Sequence, residues 1–187
     1  SLRDYQRTHQ LGLREIERLV HQVAVALEVL HDNGLVHLRV RPENIYLHED
    51  EQLMVALGGL ADAPLHTRTD LIPLEIDPYY APPEAAGLFR HAPGPGLCAW
   101  DWWSLGRVVQ EVVHGGHVYG LLFERDVSGA PPELQARVEA ALRDRDPSGV
   151  RAGAVELLPE QASPRVRSLL RGLLASSRDG RWGAEQV

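Results

Sequence analysis

Cysteine is nearly absent from this 187-residue chain: Cys98 stands alone. One thiol excludes an internal disulfide and a cysteine-built zinc cage. Long apolar runs are missing too, and none approaches the roughly 18 residues that a membrane span needs. Nothing reads as a signal peptide. Positive charge is in deficit, with 19 Lys and Arg against 26 Asp and Glu and a net charge of −7. That balance argues against a nucleic-acid surface, because a phosphate backbone rewards basic patches. A cytoplasmic protein without a membrane partner is the expectation. The chain opens on Ser1 rather than Met and stops at Val187 on a helix-like stretch, so a piece of a longer protein is expected.

What is present is ordinary globular composition, 44% hydrophobic and 24% charged, long enough for one domain with a real core. Ser1 followed by Asp4 has the spacing of a capping box. Leu13, Ile16, Leu19, Val20, Val23, Ala24, Leu27 and Leu30 recur at helical spacing and predict a long buried helix, stopped at Asn33-Gly34. Then comes Leu35 to Tyr46, LVHLRVRPENIY. Ile45 to Leu47 reads as a short strand, His48 to Glu51 as a polar turn, and Leu53 to Leu57 as a second strand. Prolines and polar residues break all periodicity over 60–80, and 90–99 is Gly/Pro-rich loop. Asp101 opens a second strong helix, buried through Leu105, Val108, Val109, Val112 and Val113 and stopped at Gly115-Gly116. Pro131-Pro132 starts another helix, and Ser163-Pro164 a further one with Val166, Leu169, Leu170, Leu173 and Leu174 as its core face. No internal repeat is seen.

The ordered set H-x-x-x-R-P-E-N at 37–44, V-A-L-G-G-L-A at 55–61, P-Y-Y-A-P-P-E at 78–84, D-W-W-S-L-G at 101–106 and R-D-G-R-W at 178–182 resembles the eukaryotic-type protein kinases. It covers the whole chain but one lobe only. The resemblance implies a mainly α, kinase-like C-terminal (large) lobe over residues 1–187, with a small β-hairpin after the catalytic-type loop. The small lobe, with its glycine-rich loop and phosphate-pairing lysine, is not in the sequence. The family's catalytic loop reads H-R-D-L-K-P-E-N, and its aspartate orients and deprotonates the acceptor hydroxyl. Here Arg39 holds that place, and a guanidinium is always charged and accepts no hydrogen bond. The family's metal-binding D-F-G corresponds to Leu57-Gly58-Gly59, and Leu57 offers magnesium no oxygen.

The resemblance therefore implies a pseudokinase: no phosphoryl transfer, no catalytic residue, no cofactor, no metal, and nucleotide binding not expected. A scaffold, regulatory or protein-interaction module is the leading expectation, its partner a protein or another domain of the same parent. The competing one is a divergent Ser/Thr kinase or nucleotide-binding enzyme completed by its missing lobe. Asn44 could hold a metal, but bridging loop backbone is the favoured role. Arg41 replaces the family's lysine and has Glu43 as the expected partner. His37, Arg39 and Arg41 form a positive cluster that could bind an anion or pair with Glu75 or Asp77. Tyr46 falls where the family places a small aliphatic side chain under adenine, with Ile45 and Leu47 turned to the core. Of the architectural positions, Asp101 is expected to accept hydrogen bonds from loop backbone near His37, with a plain helix cap as the alternative. Glu84 and Arg181 are expected to form a buried ion pair.

Overall fold

The computed structural model describes residues 1–48, 54–59, 77, 80–82, 96–113, 162–175 and 177–187. Helix α1 (Leu2–Gln6) carries the capping box read from Ser1 and Asp4, each side chain serving the other's backbone N–H. Helix α2 (Leu13–Asp32) follows. Its first turn is closed by Glu15, whose carboxylate takes the Gly12 N–H at 2.7 Å. It buries Ile16, Leu19, Val20, Val23, Ala24 and Leu27, each worth about 1.5–3 kcal/mol when fully covered, alanine less. Gly34, at φ +74°, lets the chain turn away from its end.

A single 3₁₀ turn (Pro42–Asn44) leads into strand β1 (Ile45–His48), which pairs antiparallel with β2 (Met54–Leu57). His48, expected in the turn, instead extends the strand opposite Met54. The register sets Ile45 against Leu57 and Tyr46 against Ala56. Alternation then turns Ile45 and Leu47 to the core and leaves Tyr46, His48, Met54 and Ala56 on the open face. The hairpin lies on α2, and the Gln22 side chain accepts the Val55 N–H at 2.8 Å.

Helix α3 (Cys98–Val113) begins three residues before the Asp101 start expected from the sequence. Every residue from Trp100 to Val112 is buried, so this helix is the axis of the core rather than one wall of it. It packs on α2 at one side and on α4 (Pro164–Leu173) at the other. Gly106 allows the second contact: a Cβ there would lie 2.8 Å from Leu174. Helix α4 starts as its sequence predicts, with Ser163 Oγ accepting the Val166 N–H at 3.2 Å and Pro164 in the first turn. The expected helix from Pro131, Gly115-Gly116, and the loops at 60–76 and 90–95 lie outside the described residues. Among the described residues no helix is long and apolar enough to cross a membrane.

Candidate functional site: a catalytic-type loop held from below by Asp101

The loop from Val36 to Asn44 rides over the first turn of α3. Asp101, fully buried, does not cap its own helix. Its Oδ2 accepts the His37 N–H at 2.8 Å and its Oδ1 the Leu38 N–H at 2.7 Å. These bonds hold Leu38 at φ +59°, a left-handed conformation that a leucine adopts only under constraint. A third partner comes from α2: His31 Nε2 sits 2.9 Å from Asp101 Oδ2. Burial alone would hold the His31 pKa down, but its hydrogen bonds to Asp101 and Cys98 outweigh that and push it up to about 9.

The raised value makes a pH-dependent contribution to stability. His31 is charged in the folded state up to about pH 9 and in the unfolded chain only below roughly 6.5. Its contribution is therefore fully present below about pH 6.5 and lost as pH rises through 9. The melting temperature should fall across that window, and His31→Gln should remove that part of the slope. An unchanged slope in the variant would show that the ring does not hold its proton.

His37 is turned the other way. Its Nδ1 accepts the Arg39 N–H at 3.2 Å and its Nε2 lies 3.0 Å from the Gly58 carbonyl. One nitrogen accepts and the other donates, which is the neutral tautomer. Burial, opposed by the charge of Asp101, keeps its pKa below the usual histidine value. The ring thus ties the loop to the segment after β2.

Asn44 makes the second tie. Its side-chain amide donates to the Arg39 carbonyl at 2.8 Å, and its own carbonyl accepts the Gly58 N–H at 2.8 Å. Gly59 stands directly against that amide: at φ +67° it has no Cβ, and one placed there would lie 2.5 Å from Asn44 Cγ. Leu57 pairs with Ile45 and packs on the core. Gly58 lies under the Tyr46 ring, where a Cβ would approach within 2.8 Å. Tyr46 itself is half exposed on the open face of the hairpin.

These positions do not fit a magnesium ion. The cation wants carboxylate and phosphate oxygens. It would meet an aliphatic chain at Leu57 and a guanidinium at Arg39, and the single amide oxygen of Asn44 is too few ligands by itself.

Arg41 faces Asp77 at 3.4 Å, while the expected partner Glu43 stands farther off at 4.0 Å. The reason is Arg3, which takes Glu43 at 2.7 Å. Partial burial would raise the Glu43 carboxyl, but the Arg3 hydrogen bond outweighs it and holds the pKa below the usual range. Arg3 also pairs with Glu111 of α3 and donates to the Tyr80 hydroxyl at 2.8 Å, while that hydroxyl donates to Glu111 at 2.7 Å. Burial, then the Glu111 charge, pushes the Tyr80 phenol up. This four-residue node was not foreseen from the sequence. A faint signal was there: Glu111 is a carboxylate inside the apolar run Val108 to Val113.

Arg181 donates to the carbonyls of Ala99 at 3.0 Å and Ala175 at 3.2 and 3.3 Å, and lies 4.9 Å over the Trp103 ring. Its expected partner Glu84 lies outside the described residues, as does Glu75.

A loop pinned by a buried aspartate from a central helix, followed by a hairpin and a glycine turn, is the arrangement of a protein-kinase-like fold. The profile of the protein kinase domain matches residues 1–187, and the chain belongs to that family. Protein kinase 2 of Dictyostelium discoideum is 28% identical over 164 residues, covering 88% of this chain and 29% of that protein. Mitogen-activated protein kinase 13 of Mus musculus is 26% identical over 185 residues, covering 92% of this chain and 48% of that protein. The chain thus spans less than half the length of either relative. Among solved structures, that of the Rad53 kinase domain and SCD2 in complex with AMPPNP superposes with a TM-score of 0.65 at 18% identity, over 99% of this chain and 61% of that one.

Proposed function

We propose that residues 1–187 form the large lobe of a protein-kinase-like domain that does not transfer phosphate and serves as a regulatory or protein-interaction module. One observation carries the reading. The loop is built as a kinase loop is built, yet Arg39 stands where the catalytic acceptor belongs. Phosphoryl transfer depends on positioning and charge stabilisation around the nucleotide and metal. A fixed cation at Arg39 can take no proton, and Leu57 can hold no metal. The scaffold meanwhile retains its internal bonds, as a folded surface used for binding would require. The partner in this reading is a protein or a neighbouring domain of the parent, in a cytoplasmic setting, with no cofactor and no bound nucleotide.

The test is phosphoryl transfer itself. The full-length parent, incubated with labelled ATP and magnesium or manganese, should show no incorporation above background. Arg39→Asp and Leu57→Asp should each remain inactive, because groups that act as a unit fail together. Incorporation by the unmodified protein, lost on Arg39→Ala, would establish instead a divergent kinase that uses other residues.

A further inference from the structure

The tie between the loop and the turn after β2 is made at the backbone of two residues, Arg39 and Gly58. Arg39 donates its N–H to His37 Nδ1 at 3.2 Å and takes the Asn44 side-chain amide on its carbonyl at 2.8 Å. Gly58 takes His37 Nε2 on its carbonyl at 3.0 Å and donates its N–H to the Asn44 carbonyl at 2.8 Å. At each residue His37 holds one backbone group and Asn44 the other. The Asn44 half contains nothing that titrates, whereas the His37 half does.

The ring's partners allow it one proton. A carbonyl only accepts, so Nε2 carries the hydrogen, and an N–H only donates, so Nδ1 is bare. A second proton has one place to go, Nδ1, where it would face the Arg39 N–H donor against donor. That bond then breaks. Beside it Leu38 stands at φ +59°, a strained conformation that persists only while its surroundings hold it.

We propose that His37 is an acid-released latch: as a neutral ring it locks Arg39 to the Gly58 turn, and on taking a second proton it lets the loop part from the turn. The latch goes beyond the non-catalytic reading and does not depend on it.

Burial opposes the second proton most, Asp101 of α3 favours it, and Arg39 and His31 of α2 oppose it. The turn adds no charged side chain over residues 57–59. Arg39 therefore does more than displace an acceptor. Its charge widens the gap between the locked ring and an exposed histidine, and acid acts through that gap. The locked state is favoured above about pH 6.5 and loses ground as pH falls from there to the ring's lower folded value. His31 stays charged throughout that fall, since its own pKa is about 9.

Hydrogen exchange on the full-length parent reads the latch in the amides of residues 38–41, once the intrinsic pH dependence of exchange is divided out. Their protection should fall below about pH 6.5, by up to about tenfold per pH unit down to about pH 5. His37→Asn keeps an acceptor for the Arg39 N–H and cannot titrate, so its protection should stay level. Arg39→Gln removes an opposing charge, so its loss should be smaller and should level off at a higher pH. Level protection in the unmodified protein would overturn the latch, and so would an equal fall in His37→Asn. If that variant does not fold, Arg39→Gln decides, and a fall as large as in the unmodified protein overturns the proposal. No ATP enters the measurement, so its outcome is separate from that of the phosphoryl-transfer test.

Discussion

Asp101→Ala should destabilise the protein by about 3–5 kcal/mol, the cost of leaving buried polar partners without their charge. The carboxylate is fully buried and accepts from the His37 and Leu38 backbone and from His31. Alanine would strand two backbone donors at about 1–3 kcal/mol each. It would also leave Leu38 in its left-handed conformation at φ +59° without the bonds that hold it there. Asp101→Asn should cost nearly as much, because an amide offers one acceptor oxygen where two are used and turns N–H groups toward N–H donors. Urea unfolding of the two variants against the unmodified protein gives the difference. The His31 ring should lose its raised pKa of about 9 in both, which an NMR titration reads directly. A loss below about 1 kcal/mol, within the range of ordinary surface substitutions and slightly beyond, would mean that the loop holds its shape by other contacts.

The elements of the fold were legible where one pattern repeats within a few residues. The stripe from Ile16 to Leu27 announced α2, and Ile45 and Leu47 face the core as their place in the family resemblance implied, with Tyr46 between them half exposed. Asp101 shows the limit of such reading. Its spacing marks only a helix start, and the expectation that it would grip loop backbone came from the family resemblance. Even that start was misplaced: α3 begins at Cys98, because the Gly/Pro-rich stretch before it reads as loop up to the first strong signal. The partner of Arg41 was half legible. Glu43, two residues away, does pair with it at 4.0 Å, but it is shared with Arg3, 40 positions earlier, and Asp77 stands nearer. A competition of that kind exists only after the chain has folded. Asn44 was readable as a bridge, although the residue it bridges to, Arg39, was not.

The Arg3 node is where folding adds most to the sequence, and it makes the second large effect. Arg3 reaches residues 40, 77 and 108 positions away, so no local pattern could register it. It joins α1 to the loop, to Tyr80 and to the last turn of α3. The Glu111 side chain is 3% exposed, and Arg3 is the cation that compensates its charge among the described residues. Arg3→Met should therefore destabilise by about 3–5 kcal/mol, since it leaves a buried carboxylate with the Tyr80 hydroxyl alone. Its other pair, with the 44%-exposed Glu43, adds little, because exposed ion pairs contribute about 0–1 kcal/mol. Glu111→Met should cost a similar amount for the mirror reason, a half-buried guanidinium and a phenol left without their acceptor. The double variant should lose clearly less than the sum, because neither charge is then stranded. Denaturant unfolding of the four proteins closes the cycle. Additivity to within about 0.5 kcal/mol, the behaviour of independent sites, would show that water or another group, not Arg3, balances Glu111.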